Sequence, residues 1–539
     1  MFYVLRFMNK TCKNCKQTFE IAPDDATFYE KVNVPAPRFC PPCRTQRRLL
    51  HRNERTLYRR PCDRCGADGV SIYPVGTPWP VYCNPCWWGD AWDGKSFGME
   101  YNPAKSFFDQ YRELLNKVPR INLLCITSVN SEYTNNSADN KNCYLLFAAE
   151  KNQDCMYGRL VQGCKSVVDC SWTYDSESCY ECVDVRQSFG CLFCERCQTG
   201  RDLLFCYDVR DSQNCILSTN LRHASYRIEN KQCTKEEYEA KKKEILASQE
   251  SIEAAKKRFE ELKAQAIVKY AFQTKCNDAT GDYLYNVHHS RMMFDASNAK
   301  DCSYMADVED PTDCLDGNNM YYRPERCLDV MGTLQTYNCK FSTYAMYCSS
   351  VEYSDSLQNC QDCFGSIGLK KAQYCILNKQ YTKEEYDALV SKIKAQMTTA
   401  GEYGDFLPPE TSPFKYNETM AKDYFPDPLQ PDIQTGTYGK ENGRDVFACI
   451  DCKKNFKITP NELAFYEHMG LPFPRKDFEC RMQDRLRKRN PRTLWKRQCM
   501  CQFGHTHDAV SCQNGFETTF APDRKEVVYC EECYNAEIA

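Results

Sequence analysis

Two cysteine-rich segments, one at each end of this chain, are copies of each other, and this duplication limits the folds available to it. Cys12 and Cys15 align with Cys449 and Cys452 at a constant offset of 437 positions. The same offset aligns Pro23 with Pro460, Phe28 with Phe465, Pro35 with Pro472, Cys43 with Cys480, Arg44 with Arg481, Arg48 with Arg485, and Cys62 with Cys499. A further cysteine pair closes each copy, Cys83 with Cys86 and Cys530 with Cys533. The chain therefore carries one cysteine-based module at each end.

The number of cysteines predicts a reducing environment. The 539-residue chain contains 38 cysteines, and no apolar stretch approaches the roughly 18 residues of a membrane span. Its start has no positive n-region and no small-residue cleavage site. We therefore expect a soluble, cytoplasmic protein with no membrane contact, whose cysteines are metal thiolates or buried thiols. A secreted, disulfide-linked chain is the alternative, but such domains are usually small.

Cysteine spacing predicts two zinc sites in the N-terminal copy. One set is Cys12, Cys15, Cys40 and Cys43, and the other is Cys62, Cys65, Cys83 and Cys86. Four thiolates from two CxxC turns suit tetrahedral zinc with no open position. A thioredoxin-like redox role would need a surrounding βαβ pattern, which is absent. We expect at least two zinc ions in this module and up to four in the chain.

The C-terminal copy departs from this ligand pattern. Asp477 occupies the place of Cys40, so the first set is Cys449, Cys452, Asp477 and Cys480. Asp ligates zinc, which allows a Cys3Asp site with His468 as an alternative fourth ligand; a site that has lost its metal is the other interpretation. For the second set we predict Cys499, Cys501, Cys530 and Cys533, with Cys512, His505 or His507 as substitutes.

The first set also carries the pattern of a known family. Its elements are Cys12 with Cys15, Phe19 with Phe28 and Tyr29, Pro35 with Pro37, and Cys40, Cys43 and Arg44. This pattern resembles the probable zinc-ribbon family, from the start of the chain to about Arg60 and again over residues 449–497. The whole layout is similar to long Cys-rich zinc-ribbon proteins of small-genome uncultivated bacteria, which have no established activity. The resemblance implies small treble-clef or zinc-ribbon modules and no particular chemistry.

Arginines follow the second cysteine pair of each copy. Arg44, Arg48 and Arg52 stand four positions apart, as they would on one side of a helix. The C-terminal copy repeats this pattern, and Pro491 should end its helix near Arg489. Residues 38–64 contain nine Arg or Lys and two acids, a local charge of +7 in a chain of net charge −3. Any surface of this chain that binds nucleic acid is therefore confined to such positively charged segments.

This arginine pattern predicts contact with phosphate. The candidate residues are Arg44, Arg47, Arg48, Arg52, Arg55, Arg59, Arg60, Arg481, Arg485, Arg489, Arg492 and Arg497. Trp79, Trp87, Trp88 and Trp92 lie close by in sequence and would stack on unpaired bases. RNA or ribonucleoprotein is favoured as the partner. The alternatives are that the arginines pair with the protein's own acids and the tryptophans fill a small core, or that a protein partner is bound.

The cysteines between the modules follow another rule. Cys143, Cys155 and Cys164 are separated by twelve and then nine positions, and this pattern recurs from Cys170 and from Cys327. The two spacings add to twenty-one, which is close to one turn of a parallel β-helix with cysteine as a small inward hydrophobe. We therefore predict a mainly β, multidomain fold: a duplicated Cys-ladder parallel β-solenoid with inserted helices, flanked by the zinc modules. The CxxCxxC run at residues 191–197 leaves a metal or iron–sulfur cluster open.

The middle is itself duplicated, at an offset of 148 positions. Capping boxes at Thr234 with Glu237 and at Thr382 with Glu385 predict a helix after each block. The predicted organisation is an N-terminal double zinc module at 1–100, a first block at 101–232, a charged helix or helical hairpin at 233–275, a second block at 276–380, a capping helix at 381–400, a linker at 401–445 and a C-terminal double zinc module at 446–539.

The sequence shows no nucleophile-elbow, zinc-protease or dinucleotide-binding motif. It lacks GxSxG, HExxH and a strand-linked GxGxxG. An acidic cluster around Asp307 and Asp316 is more typical of a solvated rim than of a sugar-cleaving pair. We therefore expect a non-enzymatic, multi-zinc protein that binds nucleic acid. A protein-interaction scaffold with structural zinc is the alternative, and zinc storage, redox buffering or a solenoid-groove enzyme are weaker ones.

Overall fold

The structure is a computed structural model that describes residues 8–319, 324–332, 334–426, 446–504 and 511–538. In these ranges the chain is mainly β-strand, with several parallel sheets and shorter helical segments. No helix in the described ranges has the length and apolar character that a bilayer crossing requires. His505 and His507, two of the substitute ligands, lie outside the described residues.

The helices are short, and most flank the β blocks. They are α1 (Pro23–Lys31), α2 (Pro41–Leu49), α3 (Asn84–Trp88), α4 (Phe107–Leu115), α5 (Lys235–Leu246), α6 (Gln249–Lys263), α7 (Lys383–Thr399), α8 (Ala421–Tyr424), α9 (Pro460–Met469), α10 (Phe478–Arg487) and α11 (Glu531–Ile538). Short 3-10 helices cover Gly94–Phe97, Pro409–Thr411 and Tyr416–Glu418.

The strands are mostly short. The first group is β1 (Met8–Thr11), β2 (Thr18–Ile21), β3 (Tyr58–Pro61), β4 (Asp68–Ser71), β5 (Val81–Tyr82) and β6 (Arg120–Ile121). The first block contains β7 (Cys125–Ile126), β8 (Asn135–Ala138), β9 (Tyr144–Glu150), β10 (Met156–Gln162), β11 (Lys165–Val168), β12 (Ser171–Tyr174), β13 (Glu177–Tyr180), β14 (Val183–Arg186), β15 (Arg201–Leu204), β16 (Gln213–Ile216), β17 (Ser225–Ile228) and β18 (Lys231–Gln232).

The second block and the C-terminal module contain the remaining strands. These are β19 (Ile267–Lys269), β20 (Gln273–Thr274), β21 (Asn277–Tyr285), β22 (His288–Ser297), β23 (Ser303–Glu309), β24 (Leu315–Asn318), β25 (Leu328–Met331), β26 (Ser349–Glu352), β27 (Gln361–Phe364), β28 (Gln373–Ile376), β29 (Lys379–Gln380), β30 (Val446–Ala448), β31 (Asn455–Lys457), β32 (Trp495–Gln498), β33 (Gly515–Thr518) and β34 (Val527–Tyr529).

The chain divides into two compact units, each built from segments that are distant in sequence. Unit 1 takes its described residues from Met1–Asn122 and Ala271–Ile433, and unit 2 takes them from Leu123–Tyr270 and Gln434–Ala539. The N-terminal module therefore belongs with the second block, and the C-terminal module belongs with the first. A terminal module and the block next to it in sequence therefore belong to different units.

Most parallel strands in both blocks pair with a partner twelve positions along the chain. Met156 of β10 pairs with Val168 of β11, and Gln361 of β27 pairs with Gln373 of β28. The offset is one position longer where Leu315 pairs with Leu328, and one shorter at the start of β21. The period of twenty-one expected from the cysteines is therefore wrong. The spacing of twelve is itself the pairing offset, and twelve and nine recur together only because both are multiples of three.

A three-residue period underlies both spacings. Positive φ recurs at every third residue of long stretches, for example at Asp169 (53°), Trp172 (53°) and Asp175 (49°). Asn and Asp tolerate this left-handed conformation better than other side chains, which explains their frequency in the blocks. The buried core keeps the same period: Cys179, Cys182, Val185, Cys191, Cys194 and Cys197 are spaced by multiples of three and are at most 1% exposed.

The buried cysteines of the blocks act as thiol donors to the backbone. The Sγ of Cys194 lies 3.3 Å from the carbonyl oxygen of Leu192 and 3.4 Å from that of Leu203. Cys191 and Cys197 make the same two kinds of contact. Among the described residues, no group of three or more potential metal ligands includes the CxxCxxC run. Packing and weak hydrogen bonds account for these thiols.

Local sequence signals place the helices after each block. The predicted capping boxes are confirmed, since Thr234 accepts from the Glu237 amide, Glu237 accepts from the Thr234 amide, and Thr382 and Glu385 do the same. The charged segment 233–275 contains two consecutive helices, α5 and α6, with Ser248 as the N-cap of the second. Helix α2 ends at Leu49 and α10 at Arg487. Arg52 and Arg489 therefore lie after the helices and not on a helix face.

Part of the predicted linker packs against the N-terminal module. Arg47 Nε donates to the carbonyl oxygen of Leu407 at 3.0 Å, and the amide of Met420 donates to the carbonyl oxygen of Arg52 at 2.9 Å. Arg38 forms an ion pair with Asp405. Residues 401–426 therefore belong to unit 1, while 427–445, the rest of the predicted linker, lie outside the described residues.

Candidate metal centres

Four groups of potential metal ligands share one local architecture. In each group the connection of one β-hairpin supplies two ligands, and the start of a helix supplies the other two. Ligand atoms within each group lie within 4.8 Å of one another. In the three all-cysteine groups the backbone N–H at the start of the helix donates to the sulfur of the first hairpin cysteine, Cys12, Cys62 or Cys499, and such a donor favours the thiolate. Each group could therefore hold one metal ion.

The first group is formed by Cys12, Cys15, Cys40 and Cys43. Cys12 and Cys15 lie in the turn between β1 and β2, and Cys40 is the N-cap of α2. The Sγ atoms of Cys15 and Cys40 are 3.6 Å apart. Thiolates bound tetrahedrally to zinc at about 2.3 Å are ~3.8 Å apart, so the spacing fits such an ion.

Electrostatics also favour a thiolate at the first position of this group. Burial raises the pKa of Cys12, but backbone N–H groups of Cys40, Cys15 and Asn14 donate to its sulfur and outweigh that effect, so the pKa falls to about 6. The amide of Cys40 lies 3.3 Å from this Sγ. A thiolate that forms before metal arrives is well suited to bind it.

The second N-terminal group repeats the arrangement with Cys62, Cys65, Cys83 and Cys86. Cys62 and Cys65 lie between β3 and β4, and Cys83 is the N-cap of α3. The Cys65 and Cys83 sulfurs are 3.7 Å apart. Burial opposes ionisation of Cys62, yet backbone donors from Cys83, Cys65 and Arg64 lower its pKa to about 6. The two sets expected from the sequence are thus each brought together.

The second C-terminal group contains Cys512 in the place predicted for Cys501. Its members are Cys499, Cys512, Cys530 and Cys533, all buried. The Cys512 and Cys530 sulfurs are 3.9 Å apart. Cys501 is buried beside the group, where its Sγ lies 3.6 Å from the carbonyl oxygen of Phe503. The prediction of Cys501 as a member is therefore wrong, and its substitute Cys512 takes the position.

A change of offset in the alignment of the two copies identifies Cys512 as the counterpart of Cys65. Val81, Tyr82 and Cys83 align with Val528, Tyr529 and Cys530 at an offset of 447, ten more than the offset of 437 at Cys62. Ten residues are therefore inserted within this half of the C-terminal copy. The offset of 447 carries Cys65 onto Cys512, which leaves Cys501 inside the insertion.

The first C-terminal group combines three thiols with one carboxylate. Its members are Cys449, Cys452, Asp477 and Cys480, and Asp477 is the N-cap of α10. The Cys452 Sγ lies 2.7 Å from Asp477 Oδ2. A sulfur and a carboxylate oxygen bound to one zinc ion are ~3.6 Å apart, so this shorter contact is a thiol–carboxylate hydrogen bond. His468 is exposed on α9 and is not in the group.

The arginines of α2 form buried ion pairs within unit 1. Arg44 Nε lies 2.9 Å from Asp316 Oδ1, and both side chains are nearly inaccessible. Arg48, which is 0% exposed, pairs with Asp316 and Asp329 and donates to Asn318 Oδ1 at 2.8 Å. Burial raises the pKa of Asp329 to about 6, while Arg48 acts in the opposite direction. These guanidinium groups are not on the surface.

The arginines of α10 form the corresponding contacts within unit 2. Arg485 Nη1 lies 2.9 Å from Asp169 Oδ1, and Arg481 pairs with the same carboxylate. Asp169 in the first block therefore has the role that Asp316 has in the second. The Tyr157 hydroxyl donates to Glu462 at 2.6 Å in unit 2, as the hydroxyl of Tyr304 does to Asp25 at 3.0 Å in unit 1.

The exposed arginine face expected from the sequence is therefore not present at its central positions. Arg44, Arg48, Arg52, Arg60, Arg481 and Arg485 are buried. Arg55 pairs with Asp423, and Arg489 pairs with Asp184. Arg47, Arg492 and Arg497 are half-buried, and Arg59 is exposed. Acids far along the chain, among them Asp316 of the predicted acidic rim, neutralise this charge, and a local charge count cannot include them.

The tryptophans of the N-terminal module are largely inside it. Trp79 and Trp87 are buried, and Trp88 and Trp92 are half-buried. The Nε1 of Trp92 donates to the carbonyl oxygen of Trp87 at 2.9 Å, which fixes the two rings against each other. A stacking surface for bases is therefore not available on Trp79 or Trp87.

Comparison with known proteins gives no further assignment. No protein-family model matches the chain, and no curated protein matches it either.

Proposed function

We propose that this chain is a zinc-stabilised, non-enzymatic binding scaffold, in which each terminal module caps one β block. The observation that carries the proposal is the repeated contact of the arginine helices: Arg44 and Arg48 reach Asp316, and Arg481 and Arg485 reach Asp169. In both units, arginines that follow the candidate metal ligands form ion pairs with an aspartate of a β block. These contacts support a structural role for the terminal modules.

Zinc is the proposed metal because of the donor sets. Three groups consist of four cysteines each, and the fourth has three cysteines and Asp477. Sulfur–sulfur distances of 3.6 Å and 3.9 Å support a zinc–thiolate site. Four protein ligands leave no open position for substrate water, which supports a structural rather than a catalytic metal.

The proposed fold is a treble-clef or zinc-ribbon module at each end and a duplicated β-solenoid between them. Parallel pairing that recurs every twelve positions is the register that stacked coils of that length would give. Buried cysteines spaced by multiples of three support an inward ladder. The hairpin-plus-helix arrangement of each metal group supports the proposed zinc-ribbon relationship.

A protein partner is favoured over nucleic acid. Nucleic-acid binding by α2 and α10 requires exposed guanidinium groups, and Arg48 is 0% exposed in its ion pairs. The blocks, in contrast, offer long faces formed by the outward side chains of registered strands, and repeated folds commonly bind proteins on such faces.

A salt-dependent binding assay tests this choice. Labelled single-stranded RNA is titrated with the zinc-loaded full chain at about 50 mM and about 200 mM salt. A protein with six or more phosphate contacts loses on the order of 10³ in affinity over this range. We expect no such binding. Tight, salt-sensitive binding that falls in Arg59→Ala, an exposed arginine of the predicted set, but not in Arg112→Ala, an exposed arginine outside that set, would contradict the scaffold proposal and favour nucleic acid.

A further inference from the structure

A lysine of the second block lies among three tryptophan rings of the N-terminal module, within unit 1. The Nζ of Lys370 is 5.5 Å from the ring centroid of Trp87, 5.8 Å from that of Trp88 and 4.8 Å from that of Trp92. It also donates a hydrogen bond to the carbonyl oxygen of Trp87. Each ring attracts the ammonium through its negative face. We call these three tryptophans the aromatic cage.

The aromatic cage is held in place by the second metal group. Trp87 and Trp88 belong to α3, which follows the ligand Cys83 directly and contains the ligand Cys86. The indole N–H of Trp88 donates to Asn84 at 3.2 Å, and that of Trp92 donates to the Trp87 carbonyl oxygen at 2.9 Å. The Trp87 and Trp92 rings are 4.7 Å apart at 45°. These contacts fix the rings without help from Lys370.

Gly368 leaves room for the rings beside the lysine. It has φ of 66°, a conformation that favours glycine, and a Cβ there would lie 3.3 Å from Trp92 and 3.4 Å from Trp87. A Cβ at this position would crowd the Trp92 ring and touch the Trp87 ring. The block therefore has a shape that accommodates the cage.

The aromatic cage offers a bound cation three ring faces and one hydrogen-bond acceptor. Of the three N–H donors of the Lys370 ammonium, the cage accepts one, through the Trp87 carbonyl oxygen, and the partly exposed side chain leaves the others to solvent. Within the described chain no carboxylate forms an ion pair with it, and Asp90 and Asp93 act only at longer range. Burial against the rings lowers the pKa of Lys370. Three rings and one acceptor suit a cation with methyl groups and at most one N–H.

We propose that Trp87, Trp88 and Trp92 form a binding site for a methylated ammonium group, which Lys370 occupies from within the same chain. Recognition of such cations by aromatic cages is a general use of cation–π attraction. The Lys370 side chain is partly exposed, so it can leave without unfolding the block. The ligand is then a dimethyl- or trimethylammonium group, carried by a methylated lysine or by a choline-type molecule.

Removal of the internal ligand tests the proposal. Zinc-loaded Lys370→Ala protein is titrated with tetramethylammonium chloride and with ammonium chloride at constant ionic strength, and tryptophan fluorescence is followed. We expect saturable binding of tetramethylammonium at least tenfold tighter than that of ammonium, and at least tenfold tighter than to the wild type. Parallel titrations with Nα-acetyl-N6,N6-dimethyllysine amide and with choline distinguish the two sources.

Controls separate a cage from general cation binding. The double variant Lys370→Ala, Trp92→Ala should lose the binding. Lys379→Ala is the matched control, because Lys379 lies over a single ring, Tyr381, at 5.3 Å, and its removal should create no site. If Lys370→Ala loses metal, Lys370→Gln replaces it. A variant with full metal content and native circular dichroism that binds tetramethylammonium no better than ammonium overturns the proposal.

Discussion

At the scale of residues, buried ion pairs inside each unit join its terminal module to its β block, in addition to apolar contacts. Arg48 and Asp316 are each 0% exposed, and Asp329 is nearly so. A buried ion pair carries a large desolvation cost, so it is tolerated where hydrogen bonds satisfy every charged group. Asn318 and Tyr29 supply such bonds to Arg48 and Asp316. Loss of a single partner therefore leaves an uncompensated buried charge.

The variant Arg48→Ala should destabilise the protein by about 3–5 kcal/mol, because the buried Asp329 would lose its ion-pair partner and Asp316 would keep only Arg44. Urea unfolding followed by circular dichroism measures the loss. Arg487→Ala is the control, since its side chain is 72% exposed and its pair with Asp484 contributes ~0.5 kcal/mol or less. Equal stability of the two variants would show that the buried pairs do not hold the unit.

The place of Cys512, rather than Cys501, in the four-cysteine group gives a second prediction. Cys512→Ser should remove one metal ion per chain, because it breaks a four-thiol set, whereas Cys501→Ser should retain the full content. Inductively coupled plasma mass spectrometry of the purified chains gives the stoichiometry. The reverse result, with loss of metal in Cys501→Ser alone, would restore the ligand set expected from the sequence.

At the scale of elements, one hairpin and one helix N-terminus make each metal group, and the variation between the two copies of the first group lies in the helix. The N-cap of α2 is Cys40, whereas that of α10 is Asp477, which also caps the helix by accepting from the Cys480 amide at 2.8 Å. The carboxylate thus stabilises the helix and takes a ligand position at once.

The group with Asp477 should therefore release its metal first. With excess chelator, a metal-sensitive dye should record one fast ion and three slow ones, because three thiolates and a carboxylate hold zinc less firmly than four thiolates. Asp477→Cys, which recreates the N-terminal set, should slow the fast ion by at least tenfold. Four ions released at one rate in the wild type would exclude a distinct site.

The register of the strands predicts which deletions the blocks tolerate. Deletion of residues 177–188 puts Phe189 in the place of Glu177, its pairing partner, and should keep the side chains on both sides of the junction on their faces. Deletion of residues 177–186 removes a number of residues that is not a multiple of three, so it sets the strands before the junction out of register with those after it and exposes buried cysteines there. Native thiols titrated with Ellman's reagent should stay unreactive in the first variant and increase in the second. Similar reactivity in both would contradict the period.

At the scale of the whole molecule, the order of the chain differs from the order of the units. The N-terminal module, next to the first block in sequence, belongs to unit 1 with the second block. Each unit therefore needs both halves of the chain.

Two fragments should consequently fold only together. Residues 1–265 and 266–539, co-expressed, should purify as a 1:1 complex, because each fragment carries a module for one unit and a block for the other. Size-exclusion chromatography with light scattering measures the mass. Arg44→Ala and Arg485→Ala together should weaken the complex, whereas Arg487→Ala should not. Fragments that remain separate monomers would contradict the division into units.

Much of the local structure was predictable from the sequence. The CxxC spacing sets the N-terminal ligand groups, because two thiols three positions apart in a turn reach one ion whatever surrounds them. The capping boxes at Thr234 and Thr382 likewise depend on side chains three positions apart. These interactions are short-range, so one stretch of chain determines them.

The tertiary structure decided the rest. The partners of Arg44 and Arg485 lie 272 and 316 positions away, so no local pattern could show that these arginines are buried. The strand register depends on which strands become neighbours, and the cysteine spacings of twelve and nine agree with it only once the three-residue period is known. By itself the sequence determined where metal could bind. Only long-range contacts determined that the charges around these sites face inward.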